Sequence, residues 1–125
     1  MPTVSSYDPY FIQTQFEVIQ SQKILDRVID TLNLNQAWGD RYAGGQPLKS
    51  DETLRILQGQ INLKPVRNTS LIEIEVFSEN PQEAADLANA IAVAYRDYRL
   101  EKSRELALGG IKELEKQWEV LVQRV

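Results

Sequence analysis

The chain has 125 residues, of which 42% are hydrophobic and 26% charged, with a net charge of −4; that suffices for one modest globular domain and disfavours non-specific nucleic-acid binding. Cysteine and histidine are both absent, which excludes disulfides and thiol chemistry and removes the commonest general base and metal ligand. No apolar run is long enough to span a bilayer, since the best candidate, Ala84 to Tyr95, is short and carries Asp86 and Asn89, and no signal peptide is recognisable.

Residues 1–7 are polar and read as irregular. Asp8-Pro9 suits the start of a helix near Tyr10. Ile12, Phe16 and Ile19 form one apolar stripe; Ile24, Leu25, Val28, Ile29 and Leu32 form a second. At about 100° per residue the second lies roughly half a turn round from the first. One straight helix would bury only one of them, so a break is expected at Ser21, with Ser21 capping the second segment. The stretch from Leu34 to Lys49 contains Gly39, Gly44, Gly45 and Pro47 and reads as a loop. Ser50-Asp51-Glu52 opens a short helix that Gly59 ends.

A hairpin follows. In Ile61-Asn62-Leu63-Lys64-Pro65-Val66 and in Ile72-Glu73-Ile74-Glu75-Val76, apolar and polar residues alternate with the period of a half-buried strand. Arg67-Asn68-Thr69-Ser70 has turn composition. A turn centred on Asn68-Thr69 sets Leu63 against Ile74 and Lys64 against Glu73, which matches both faces. Ile61, Leu63 and Pro65 then point inward. Asn80 suits an N-cap, Pro81 the first helical position, and Glu83 the third, from which its carboxylate can reach back to the cap. The alanines after it favour helix. Leu87, Ile91, Ala94 and Tyr98 make one stripe, and Leu63, Ile72, Ile74, Val76, Leu87, Ile91 and Ala94 are expected to form one core.

Beyond Tyr98 the stripe lapses, then resumes as Ile111, Leu114, Trp118, Leu121 and Val125 with 3-4-3-4 spacing, a coiled-coil seam of about two heptads suited to self-association. Gly109-Gly110 reads as a weak point in this helix.

No constellation carries obvious chemistry. Glu73 and Glu75 share a strand face and could serve a glycosidase if one had a raised pKa, but a solvated face paired with lysine is the preferred reading. Trp38 and Trp118 could stack on sugars; packing is the preferred role for both. Arg67 is read as structural, bonding nearby backbone or a helix end. Asn68-Thr69-Ser70 fits a common glycosylation pattern. Asp26, Asp30 and Asp51 lack partners at metal-ligand spacing, and no Gly-rich phosphate loop occurs. The sequence therefore implies no catalytic residues, metal or cofactor.

One combination is more specific. Pro65-Val66-Arg67-Asn68-Thr69, then Leu71-Ile72-Glu73-Ile74, then Asn80-Pro81 with Ala84-Ala85 and Ala88-Asn89-Ala90, resembles the periplasmic domain of polysaccharide co-polymerases. These are the chain-length determinant (Wzz-type) and exopolysaccharide-transport inner-membrane proteins. Phe11 to Gln15, Ser21 and Leu32-Asn33-Leu34 fit the same pattern, so the likeness covers about Asp8 to Arg99. Pro65, Val66, Arg67, Asn68, Thr69, Asn80, Pro81, Ala84, Ala85 and Asn89 carry it as structural signature residues. The family's first strand would precede Asp8 and is missing, and Val125 stops inside a helical pattern, so the chain reads as part of a longer protein.

The expected fold is α+β: a small antiparallel hairpin sheet packed by helices, then a long C-terminal helix with coiled-coil character. Residues 1–100 would form the base domain and 101–125 the start of a projecting helix. The resemblance implies a non-enzymatic scaffold at the periplasmic face of the bacterial inner membrane, held there by flanking helices outside this sequence. Its partners would be its own copies and a polysaccharide polymerase or export channel, with no nucleic acid. A helical adaptor of another envelope export machine is the alternative; a small carbohydrate-active enzyme is the third reading.

Overall fold

The computed structural model describes residues 9–69 and 71–124, with side chains up to Leu121. Expectations for residues 1–8, Ser70 and Val125 fall outside them. In chain order the elements are α1 (Pro9–Ile19), α2 (Gln22–Leu32), α3 (Leu34–Tyr42), α4 (Ser50–Gln60), β1 (Ile61–Pro65), β2 (Ile72–Val76) and α5 (Pro81–Arg124). The architecture is α+β, with β1 and β2 forming a two-stranded antiparallel sheet.

The two apolar stripes are both buried because the chain turns between them. Ser21 is extended (φ −72°, ψ 156°) and separates α1 from α2 where the stripes require it. It does not cap α2 with its side chain; its hydroxyl donates back to the Val18 carbonyl at 2.6 Å. At the other end of α2, Asn33 is left-handed (φ 51°, ψ 47°), and its N–H closes the helix on the Ile29 and Asp30 carbonyls. Asparagine tolerates this conformation and a β-branched residue does not. Asn33→Val is therefore expected to cost about 1–2 kcal/mol, while Asn33→Gly stays close to wild type. Thermal melts that place the two variants together would show that the left-handed turn does not limit stability.

The stretch after Asn33 departs from its reading as a loop. Leu34 to Tyr42 is helical, with Leu34 and Trp38 buried one turn apart. Gly39 is the reason a helix fits there: a Cβ on it would lie 2.2 Å from the Gln46 carbonyl oxygen and 2.8 Å from Pro47 Cα. The glycine admits a returning backbone rather than breaking the helix. Only the 43–49 segment is loop, and it turns through left-handed Gly44 and Gly45. Asn35 ties this region together. Its carbonyl accepts from Leu48 N–H at 2.9 Å, its side-chain carbonyl accepts from the buried Thr53 hydroxyl at 2.5 Å, and its amide donates to Ser50 at 3.2 Å.

Gly59 does not end α4 either. The helix continues to Gln60 and passes directly into β1 at Ile61. The hairpin register agrees with the sequence: Leu63 pairs with Ile74 and Lys64 with Glu73. Val66 N–H donates to Leu71 O at 3.0 Å, Thr69 N–H to Val66 O at 3.1 Å, and Asn68 takes φ 62°. Lys64, although opposite Glu73, reaches diagonally to Glu75 at 3.1 Å. Pro65 is exposed, not inward.

The core is centred on α2 and not on the hairpin. Ile24, Leu25, Val28 and Ile29 of α2 are buried together with Ile12 and Ile19 of α1, Leu34 and Trp38 of α3, and Leu57 of α4. Helix α2 packs on α1, α3 and α4, and α3 packs on α4. Leu87, Ile91 and Ala94 of α5 join the core, as does Ile61. Leu63, Ile72, Ile74 and Val76 are only half-buried, so the expectation that they lie at the centre of one core fails.

The chain divides into two compact units, one ending at Tyr95 and the other beginning at Arg96. In the first, Tyr95 of α5 donates its hydroxyl hydrogen bond to Gln15 of α1. The second is helical throughout its described length, and its side chains from Arg99 to Leu121 are exposed. Gly109-Gly110 lies within this helix without interrupting it, so the expected weak point is not a break. Among the described residues, no helix is long and apolar enough to cross a membrane.

Candidate functional site

The region around the start of α5 gathers the most polar chemistry. Asn80 Oδ1 accepts from the N–H groups of Gln82 at 2.9 Å and Glu83 at 3.2 Å, and Pro81 occupies the first helical position. This is the cap expected from the sequence. Glu83, however, does not reach back to Asn80, whose N–H donates to Ser78 Oγ at 3.2 Å. The Glu83 carboxylate turns to α3 instead. It accepts from Trp38 Nε1–H at 3.1 Å and from both Arg41 Nη atoms, at 3.3 and 2.5 Å.

Hydrogen bonding from Arg41 holds the Glu83 carboxyl below its ordinary value of 4.5, and the Trp38 bond and the Arg41 charge act the same way against partial burial. Arg41 is correspondingly raised, chiefly by its bonds to Glu83, and stays charged. The ion pair itself is part-exposed and contributes little. The larger effect is at Trp38, whose buried N–H loses its acceptor when Glu83 is removed. Glu83→Ala is thus expected to cost about 1–3 kcal/mol at neutral pH. Because the folded carboxyl has the lower pKa, its contribution is complete above the unfolded value and is lost as pH falls through the folded one. Urea midpoints of wild type and Glu83→Ala should differ at pH 7 and by less in acid, where the protonated carboxyl still accepts from Trp38 but no longer pairs with the Arg41 charge. A constant gap would separate the effect from ionisation.

The signature residues of the hairpin occupy its tip. Pro65, Val66, Arg67 and Asn68 are exposed, and the Thr69 hydroxyl donates to Val66 O at 2.7 Å and accepts from Leu71 N–H at 3.1 Å. Arg67 makes no ion pair or hydrogen bond among the described residues, so the expected structural anchorage is not present. Along α5, Ala84 is half-buried, while Ala85 and Asn89 are exposed.

The two strand carboxylates are unlike a catalytic pair. Glu73 is exposed. Glu75 accepts from Asn62 Nδ2 at 2.9 Å, and this bond, followed by Lys64, lowers its pKa. A general acid needs the opposite shift. Among the described residues no acidic cluster could hold a metal ion.

Trp38 is fully buried and cannot stack on a ligand. Ile111, Leu114, Trp118 and Leu121 lie on the second unit, all more than half exposed, with Trp118 at 67%. A further group was not foreseen: Arg41, Tyr42, Gln60, Phe77, Ser78 and Glu79 line an open cleft of about 340 Å³. Arg41 and Tyr42 reach it from the last turn of α3, a stretch whose glycines read as loop, and Phe77 from just past the end of β2. No family model, curated protein or solved structure matches the chain.

Proposed function

We propose that the chain is a non-enzymatic scaffold domain of a membrane-anchored polysaccharide co-polymerase, at the periplasmic face of the bacterial inner membrane. It regulates the chain length or export of a surface polysaccharide. Its partners are further copies of itself and a polysaccharide polymerase or export channel, and flanking helices outside this sequence provide the membrane anchor.

The observation that carries the reading is the joining of a capped hairpin-helix unit, with its Pro65 to Thr69 tip and Asn80-Pro81 cap, to a helix whose apolar seam is left open. Large side chains such as Leu114 and Trp118 each hold roughly 1.5–3 kcal/mol of unrealised burial energy. A seam of this kind serves assembly rather than chemistry.

Two measurements test it. Deleting the gene and resolving the surface polysaccharide by gel electrophoresis should change its length distribution or its amount; an unchanged polysaccharide would sink the reading. In the purified chain, Leu114→Glu with Leu121→Glu should lower the assembly state seen by light scattering without altering the melt of the first unit. A strict monomer for wild type at high concentration would remove the assembly part.

A further inference from the structure

We infer that the cleft between the end of α3 and the β2–α5 connection binds a neutral saccharide unit. Three separate parts of the chain build it. Arg41 and Tyr42 come from the last turn of α3, Gln60 from the end of α4, and Phe77, Ser78 and Glu79 from the segment between β2 and α5. The Phe77 N–H donates to Gln60 O at 2.8 Å, which locks two of these parts together.

The lining has two kinds of surface. Tyr42 and Phe77 are large rings left 58% and 61% exposed. Such rings pack well on flat C–H faces. Arg41 lies 5.6 Å from the Tyr42 ring centroid and is held by Glu83, so its position is fixed before any ligand arrives. Around the rings stand a hydroxyl, an amide and a carboxylate. Ser78 Oγ accepts from Asn80 N–H and keeps its own hydrogen available. Gln60 contributes to the lining as a residue, while its side-chain oxygen is itself buried and has no hydrogen-bond partner among the described residues.

Charge narrows the ligand. The one cation in the lining is already neutralised by Glu83, and Glu79 adds a negative group, so a phosphate or nucleotide finds no net attraction. A single lining carboxylate is too few for a metal ion. A purely apolar ligand would strand the amide, the hydroxyl and the carboxylate. A molecule with a C–H face and an edge of hydroxyls satisfies both surfaces, and the volume, about 340 Å³, lies at the small end of ligand sites. This assignment depends on the scaffold reading only for which polymer supplies the sugar.

The test is a titration of the isotopically labelled chain, followed by amide NMR, with methyl glucoside, methyl galactoside, N-acetylglucosamine and, as a counter-probe, inorganic phosphate. The expected result is a saturable shift at Gln60, Phe77, Ser78 and Glu79 with at least one sugar and none with phosphate. Tyr42→Ala with Phe77→Ala should weaken it about tenfold, the loss of ring stacking, with the remaining amide spectrum unchanged because both rings are largely exposed. The proposal is overturned by no saturable shift with any of the sugars, by shifts that the double substitution leaves intact, or by a response to phosphate alone. A null titration in a chain whose gene deletion does alter the polysaccharide removes the cleft and leaves the scaffold. A positive titration without a deletion phenotype does the reverse.

Discussion

Trp38→Ala is expected to lower stability by about 3–5 kcal/mol, the range for truncating a large aromatic in a core. Trp38 is fully buried on α3, the helix that packs on both α2 and α4. Its removal leaves a cavity and also deprives Glu83 of a hydrogen-bond donor. Against a typical domain stability of about 5–15 kcal/mol, such a loss brings the first unit close to unfolding at room temperature. Trp38→Phe keeps an aromatic ring in the core while losing the N–H and part of the indole volume, so it is milder than Trp38→Ala. It should cost about 1–2 kcal/mol. Urea melts at a common slope would measure both. Equal midpoints for wild type and Trp38→Ala would mean that α3 is not part of the cooperative core.

Gly39→Ala should be nearly as damaging for a single added methyl. The atoms it would meet, Gln46 O at 2.2 Å and Pro47 Cα at 2.8 Å, are backbone and cannot swing aside. The Gly39 carbonyl also accepts from Ala43 and Gly45 N–H at 2.9 and 3.1 Å, so moving the loop would cost those bonds. The expected loss is about 3 kcal/mol, the upper end for overpacking. By contrast, Gly109→Ala and Gly110→Ala meet nothing within 4 Å and should each strengthen the helix by about 0.5–1 kcal/mol. A Gly39→Ala variant that melts with wild type would show that the 43–49 loop is not held against α3.

The hairpin and the start of α5 were legible because their signals are local. The register of Leu63 against Ile74 and Lys64 against Glu73 follows from alternation and turn length, and Asn80-Pro81 announces a cap by itself. Helix α3 was not legible for a physical reason. It is short, its buried residues are only Leu34, Trp38 and Gly39, and Gly39, a residue type that signals a break, instead provides room for a passing backbone. Alternation in β1 and β2 identified a face but not how far it is covered, which is why Ile72, Ile74 and Val76 are half-buried rather than central. The Glu83 contacts were missed because the capping pattern offered that carboxylate a nearer partner, and Trp38 and Arg41 stood in what was read as loop. Nothing in the sequence set Arg67 free or drew Lys64 to Glu75; those outcomes rest on side-chain reach in the folded hairpin.

The Trp38 to Glu83 hydrogen bond joins residues 45 apart in sequence, and Tyr95 to Gln15 joins residues 80 apart, whereas Asn35 to Thr53 spans 18. Closing a longer loop costs more chain entropy before any contact rewards it. The block around α2 and the hairpin is therefore expected to organise early, with the N-terminal part of α5 docking after the main barrier. Glu83 then governs the lifetime of the native state more than the speed of reaching it. Stopped-flow chevrons of Glu83→Ala should show faster unfolding with nearly unchanged refolding; slowed refolding would place the docking of α5 before the barrier.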